Sequence, residues 1–157
     1  MSFNQNSQIL EEIGIMEQFR INYAEFPKGK LLKSESPDFI VSESPKKTIG
    51  IELTKLHEPT INKFKTHYPT KIIGYLSPEM NRENIQFTIN AKNEKLAIYH
   101  QKKLNQLWLL ITADIEQCPV SYNLPNKLNN WEFYSGFQKV FLFELKAKKI
   151  YELNVLI

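Results

Sequence analysis

Pro37-Asp38-Phe39-Ile40-Val41, the link Ser42-Glu43-Ser44-Pro45-Lys46-Lys47, and Thr48-Ile49-Gly50-Ile51-Glu52-Leu53-Thr54-Lys55 form the stretch that decides how this chain is read. The first run is short and rich in strand-forming residues. The last alternates strictly, with Ile49, Ile51 and Leu53 on one face and Gly50, Glu52 and Thr54 on the other. The link between them is turn chemistry, so the two runs predict an antiparallel hairpin. Asp38 opens one strand and Glu52 sits in the middle of the other. Strands are poor in acids, and an unpaired charge there costs stability, so something should compensate. If the strands pair, both carboxylates converge on one side of the sheet, and hard oxygens set close together suit Mg²⁺ or Mn²⁺. The alternative leaves Glu52 in solvent and Asp38 capping a turn after Pro37.

Upstream, Ile9, Ile13 and Met16 recur at helical spacing after Ser7, which predicts an amphipathic helix over residues 7–20 despite Gly14. On its wheel Glu11 points away from the apolar stripe, whereas Glu12 and Glu17 flank it. Downstream, Pro59, Pro69 and Pro78 interrupt residues 56–89, which read as an irregular insertion with short strands at Ile72–Leu76 or Ile85–Ile89. From Asn90, as a cap, to about Asn105 the chain reads as helix. Lys92, Lys95, Tyr99, Lys102 and Lys103 gather on one face of that helix, opposite Ala97 and Leu104. The continuously apolar Leu107-Trp108-Leu109-Leu110-Ile111 predicts a strand buried on both faces. Pro119–Asn130 reads as a surface loop, and Lys139–Leu145 with Lys149–Val155 as a second hairpin around Lys146-Ala147-Lys148.

Of 157 residues, 42% are hydrophobic and 24% charged, with five glycines, which excludes a disordered chain and predicts one packed domain over 1–157. Cys118 is the single cysteine, so no internal disulfide and no cysteine-rich zinc site is expected. No run approaches the ~18 apolar residues of a membrane span, and no targeting segment is visible, so no membrane partner and a cytoplasmic location are expected. The net charge of +3 hides an uneven distribution: residues 46–105 hold 11 basic and 5 acidic side chains. That is a weak footprint for a polyanionic partner. Phosphate-loop, nucleophile-elbow, dinucleotide and zinc-protease motifs are absent, and His57, His67 and His100 have no ligand-like spacing with Cys118.

Pro37-Asp38, a turn, and Gly50-Ile51-Glu52-Leu53-Thr54 resemble the signature of the PD-(D/E)xK phosphodiesterase superfamily. The order of elements around them, from an acidic helix to the buried strand, follows the same family over most of residues 7–155. The resemblance implies an α/β domain of the restriction-endonuclease-like class, with a central mixed sheet flanked by helices. It also implies metal-dependent hydrolysis of nucleic acid, DNA more than RNA, with Mg²⁺ or Mn²⁺ as cofactor, by enzymes that are often homodimers. Asp38 then matches the family's metal-binding aspartate, Glu52 its second acidic ligand, and Glu12 the acid that some members contribute from the first helix. Thr54 departs from the pattern, because the family places there the lysine that orients or activates the attacking water. Lys55 points to the opposite face of the strand. Some divergent members move the lysine to the following helix, where Lys95 and Lys92 are the candidates and Lys95 is taken as the catalytic one. Lys92, Tyr99, Lys102 and Lys103 are then expected to meet nucleic acid. Two other readings stay open: a catalytically silent scaffold that binds nucleic acid or protein, and a small partner-binding domain whose carboxylates are only surface residues.

Overall fold

A computed structural model describes residues 3–56, 81–113 and 124–156. Helix α1 (Phe3–Asn22) leads into strands β1 (Lys30–Lys33), β2 (Phe39–Ser44) and β3 (Lys47–Lys55). Helix α2 (Arg82–Asn93), the short α3 (Leu96–Tyr99) and a 3-10 turn (His100–Lys102) precede β4 (Gln106–Ala113). Helix α4 (Leu124–Asn130), β5 (Glu132–Tyr134), β6 (Lys139–Glu144), β7 (Lys149–Glu152) and β8 (Asn154–Leu156) complete the order. The main sheet has six strands in the order β1-β2-β3-β4-β6-β7. Its core β3-β4-β6 is parallel, while β1, β2 and β7 run antiparallel to their neighbours. The chain is thus an α/β protein with a mixed sheet flanked by helices, as expected.

The sheet is covered on both faces. Phe39, Val41, Ile49, Ile51, Trp108, Leu110, Phe141 and Phe143 pack with Met16 and Phe19 of α1. On the other face Leu107, Leu109, Ile111, Val140 and Leu142 meet Ile85 and Ile89 of α2, Tyr99 of α3, and Leu124 and Leu128 of α4. β4 lies between two parallel neighbours, and every residue from Leu107 to Ala113 is buried, which is what its unbroken apolar run demands. The first hairpin forms with Phe39 opposite Ile51 and Val41 opposite Ile49. The second forms as β6 and β7, but it stops at Glu152, and Asn154–Leu156 leaves to pair with β5.

Several elements differ from the sequence reading. Helix α1 buries Met16 and Phe19, whereas Ile13 is exposed, so the inward stripe runs Ile9, Glu12, Met16, Phe19, with an acid inside it. The helix expected from Asn90 begins at Arg82, where the Asn81 side chain accepts from the Asn84 amide at 2.8 Å. Ile85 and Ile89 are therefore one turn apart on a buried helix face and not in a strand. That helix stops at Asn93, and the Glu94-Lys95 turn separates it from α3. The loop expected over Pro119–Asn130 contains α4, with Pro125 in the first turn, where a missing N–H has no partner to lose. Residues 57–80 and 114–123 lie outside the described residues, and with them most of the insertion expected over 56–89, including its three prolines and Ile72–Leu76, and His57, His67 and Cys118. No described helix is long and apolar enough to cross a membrane.

Candidate functional site

Asp38 is the residue before β2, and the Phe39–Ile51 register carries it alongside Glu52. The two segments hold each other reciprocally. The Asp38 amide donates to Glu52 Oε1 at 3.2 Å, and the Leu53 amide donates to Asp38 Oδ2 at 2.9 Å. The loop that delivers Asp38 is seated from below and from the side. Its Pro37 is buried over Gly50, where a Cβ would stand 2.7 Å from Pro37 Cγ and 2.5 Å from Leu104 Cδ1. Lys102 donates to the Ser34 hydroxyl and to the Glu35 carbonyl.

Glu52 is only 6% exposed, so its strand phase turns it into the protein and not into solvent. Helices α2 and α3 supply what a buried carboxylate needs: Lys92 Nζ lies 3.2 Å from Oε2, and the Tyr99 hydroxyl donates to the same oxygen. Burial pushes Asp38 up to about 7, helped by its hydrogen bond to Glu52 and by the charge of that carboxylate. Burial also pushes Glu52 upward, but the hydrogen bonds from Asp38 and Tyr99 and the Lys92 charge outweigh it and hold Glu52 below the ordinary carboxylate range. Of the two, Asp38 is therefore the carboxyl that titrates near neutrality, while Glu52 stays the charged partner. Burial and then Glu52 raise the Tyr99 hydroxyl, which stays a donor.

Glu12 reaches this end of the sheet from α1 and ends on Lys33, whose Nζ is 3.1 Å from Glu12 Oε2 and 3.8 Å from Asp38 Oδ1. Two clefts meet at Gln8 and Glu12. One, of about 560 Å³, is lined by Glu11, Leu53, Thr54, Lys55, Lys92 and Thr112 among others. The other, of about 640 Å³, is lined by Lys33, Ser34, Glu35, Ser36 and Asp38. Both open beside the carboxyl end of β3, the edge of a parallel sheet where ligands are commonly bound.

Asp38, Glu52, Glu12 and Lys92 thus come together. Lys95 does not: it is exposed in the turn between α2 and α3, and among the described residues no contact joins it to either carboxylate. Tyr99 is 1% exposed, with its ring against Phe137, so it cannot stack on a base as its place among the lysines suggests. Lys102 is committed to the Asp38 loop, whereas Lys103, like Lys95, is exposed without such a tie among the described residues. Two other central lysines pair at the surface, Lys47 with Glu43 and Lys55 with Glu11. Sequence reasoning misses Lys33 because its strand Lys-Leu-Leu-Lys is too short to show a period.

Among the described residues no group of three or more acids, histidines or cysteines is assembled for a metal. Asp38 and Glu52 are nevertheless two adjacent hard carboxylates, the ligand type that Mg²⁺ or Mn²⁺ takes. Mg²⁺ commonly takes only one or two protein carboxylates and completes its shell with water and phosphate. No family model, curated protein or solved structure matches this chain.

Proposed function

We propose that the chain is a metal-dependent nuclease of the PD-(D/E)xK type, hydrolysing phosphodiester bonds in nucleic acid. One observation carries the reading: Asp38 and Glu52 are joined at the end of β3 with the Lys92 ammonium 3.2 Å from Glu52. A divalent ion held by the two carboxylates would supply Lewis acidity and an activated water. Lys92 stands in for the lysine absent at Thr54, because it borders both Glu52 and the open cleft. There it is placed to orient a water or to meet a phosphate oxygen. Tyr99 fixes the orientation of Glu52 from the buried side.

Cleavage of single- and double-stranded DNA and RNA with Mg²⁺ or Mn²⁺ tests the proposal. Wild type should cut, and Asp38→Ala, Glu52→Ala and Lys92→Ala should not. Thr54 favours one competitor, the silent scaffold: a wild type that binds nucleic acid with every metal tested yet never cuts it establishes that reading instead.

A further inference from the structure

Lys33 stands on the edge strand β1, and its ammonium is ringed by four oxygens. The Ser34 carbonyl is at 2.8 Å, the Asp38 carbonyl at 3.1 Å, Glu12 Oε2 at 3.1 Å and Asp38 Oδ1 at 3.8 Å. The Phe39 ring closes another side, its centroid 5.0 Å from Nζ. An exposed ion pair joins one cation to one carboxylate. Two carbonyls and two carboxylates drawn from α1 and the Asp38 loop are instead the donor set of a hard-cation site.

We propose that Lys33 is a tethered cation that fills a second cation position beside the Asp38–Glu52 pair and so limits the centre to one divalent ion. The inference rests on the metal-site reading and deepens it. Asp38 belongs to both groups: it adjoins Glu52, its Oδ2 accepting from the Leu53 amide, and it turns Oδ1 to Lys33. While the ammonium stays, a second ion would meet like charge at close range and find Glu12 already taken. Replacing Lys33 by a neutral side chain leaves the two carboxylates and two carbonyls without a counter-charge, and a free ion can then enter.

The test is Mn²⁺ binding to the full chain at neutral pH, by calorimetry and native mass spectrometry, for wild type, Lys33→Met, Lys33→Gln and Lys33→Arg. The expected stoichiometry is one ion for wild type and for Lys33→Arg, and two for Lys33→Met and Lys33→Gln, with the second lost again when Glu12→Gln is added. Neutral variants that bind a single ion with wild-type affinity overturn the proposal while leaving the metal site standing. A wild type that binds no Mn²⁺ overturns the metal-site reading and this inference with it. If the neutral variants fold only with metal, circular dichroism should show Mn²⁺ restoring them, and variants still unfolded at saturating Mn²⁺ refute the tethered cation.

Discussion

The Asp38 amide donates to the Glu52 carboxylate while Asp38's own carboxylate accepts from Leu53, so neighbouring strands hold each other's acids in place. This arrangement makes stability depend on pH. Asp38 is raised to about 7, so the folded chain keeps a proton that the unfolded chain releases near the ordinary aspartate value of 3.8. Stability is then lost as pH rises through about 7. Glu52 runs the other way: its contribution is present above its ordinary value and lost as pH falls through its lowered one. Urea denaturation without metal should show wild type losing stability between about pH 5 and about pH 8, with the loss largely removed in Asp38→Asn. A wild-type stability that climbs over that range in step with Asp38→Asn contradicts this.

Lys92 and Lys95 should separate cleanly. Lys92→Met removes the ammonium from a buried carboxylate, and should cost on the order of 2–3 kcal/mol. Under the proposed function, turnover should fall by about 10²–10⁴. Lys95→Ala should shift stability by less than about 0.5 kcal/mol and leave cleavage intact. Equal losses of turnover in the two variants would show that Lys92 does not replace the lysine absent at Thr54.

Tyr99→Phe keeps the ring in the core and deletes only the hydroxyl that donates to Glu52. The loss should be about 1–2 kcal/mol, read from chemical denaturation. Tyr99→Ala should cost about 3–5 kcal/mol by leaving a cavity beside Phe137. A Phe variant as stable as wild type would mean that Glu52 does not depend on this donor.

Lys102 and Lys103 are adjacent but do different things. Lys102→Ala should cost about 1 kcal/mol and weaken Mn²⁺ binding several-fold, since the Asp38 loop loses its tie. Lys103→Ala should leave both unchanged and lower the salt slope of nucleic-acid binding by at most about one. Nucleic-acid affinity indifferent to salt would refute phosphate contacts by these lysines altogether.

The hairpin, the buried strand and the Asp38–Glu52 pair are legible in the sequence because strict alternation and an unbroken apolar run have one strand reading each. The start of helix α2 is not, because Ile85 and Ile89 fit both a short strand and a helix, and packing against the sheet chooses the helix. That choice reaches the site. A continuous helix from Asn90 puts Lys92, Lys95 and Tyr99 on one face, whereas the break at Glu94-Lys95 delivers Lys92 and Tyr99 to Glu52 and leaves Lys95 outside. Lys33 is illegible for another reason: its four oxygens come from segments that only the folded chain brings together.

Gly50 carries a consequence for anyone who would stabilise this protein. By strand propensity it is a flaw, and replacing it with alanine looks like a free improvement. Yet the loop bearing Asp38 and the segment that follows α3 rest on the same bare Cα, through Pro37 and Leu104. One added methyl would press on the Pro37 ring, which cannot turn aside, and on the tips of Leu104 and Leu107, so the loop that carries Asp38 would have to shift. The missing side chain is the room in which the Asp38 loop and the segment after α3 meet, so a change at this one strand position is felt by both.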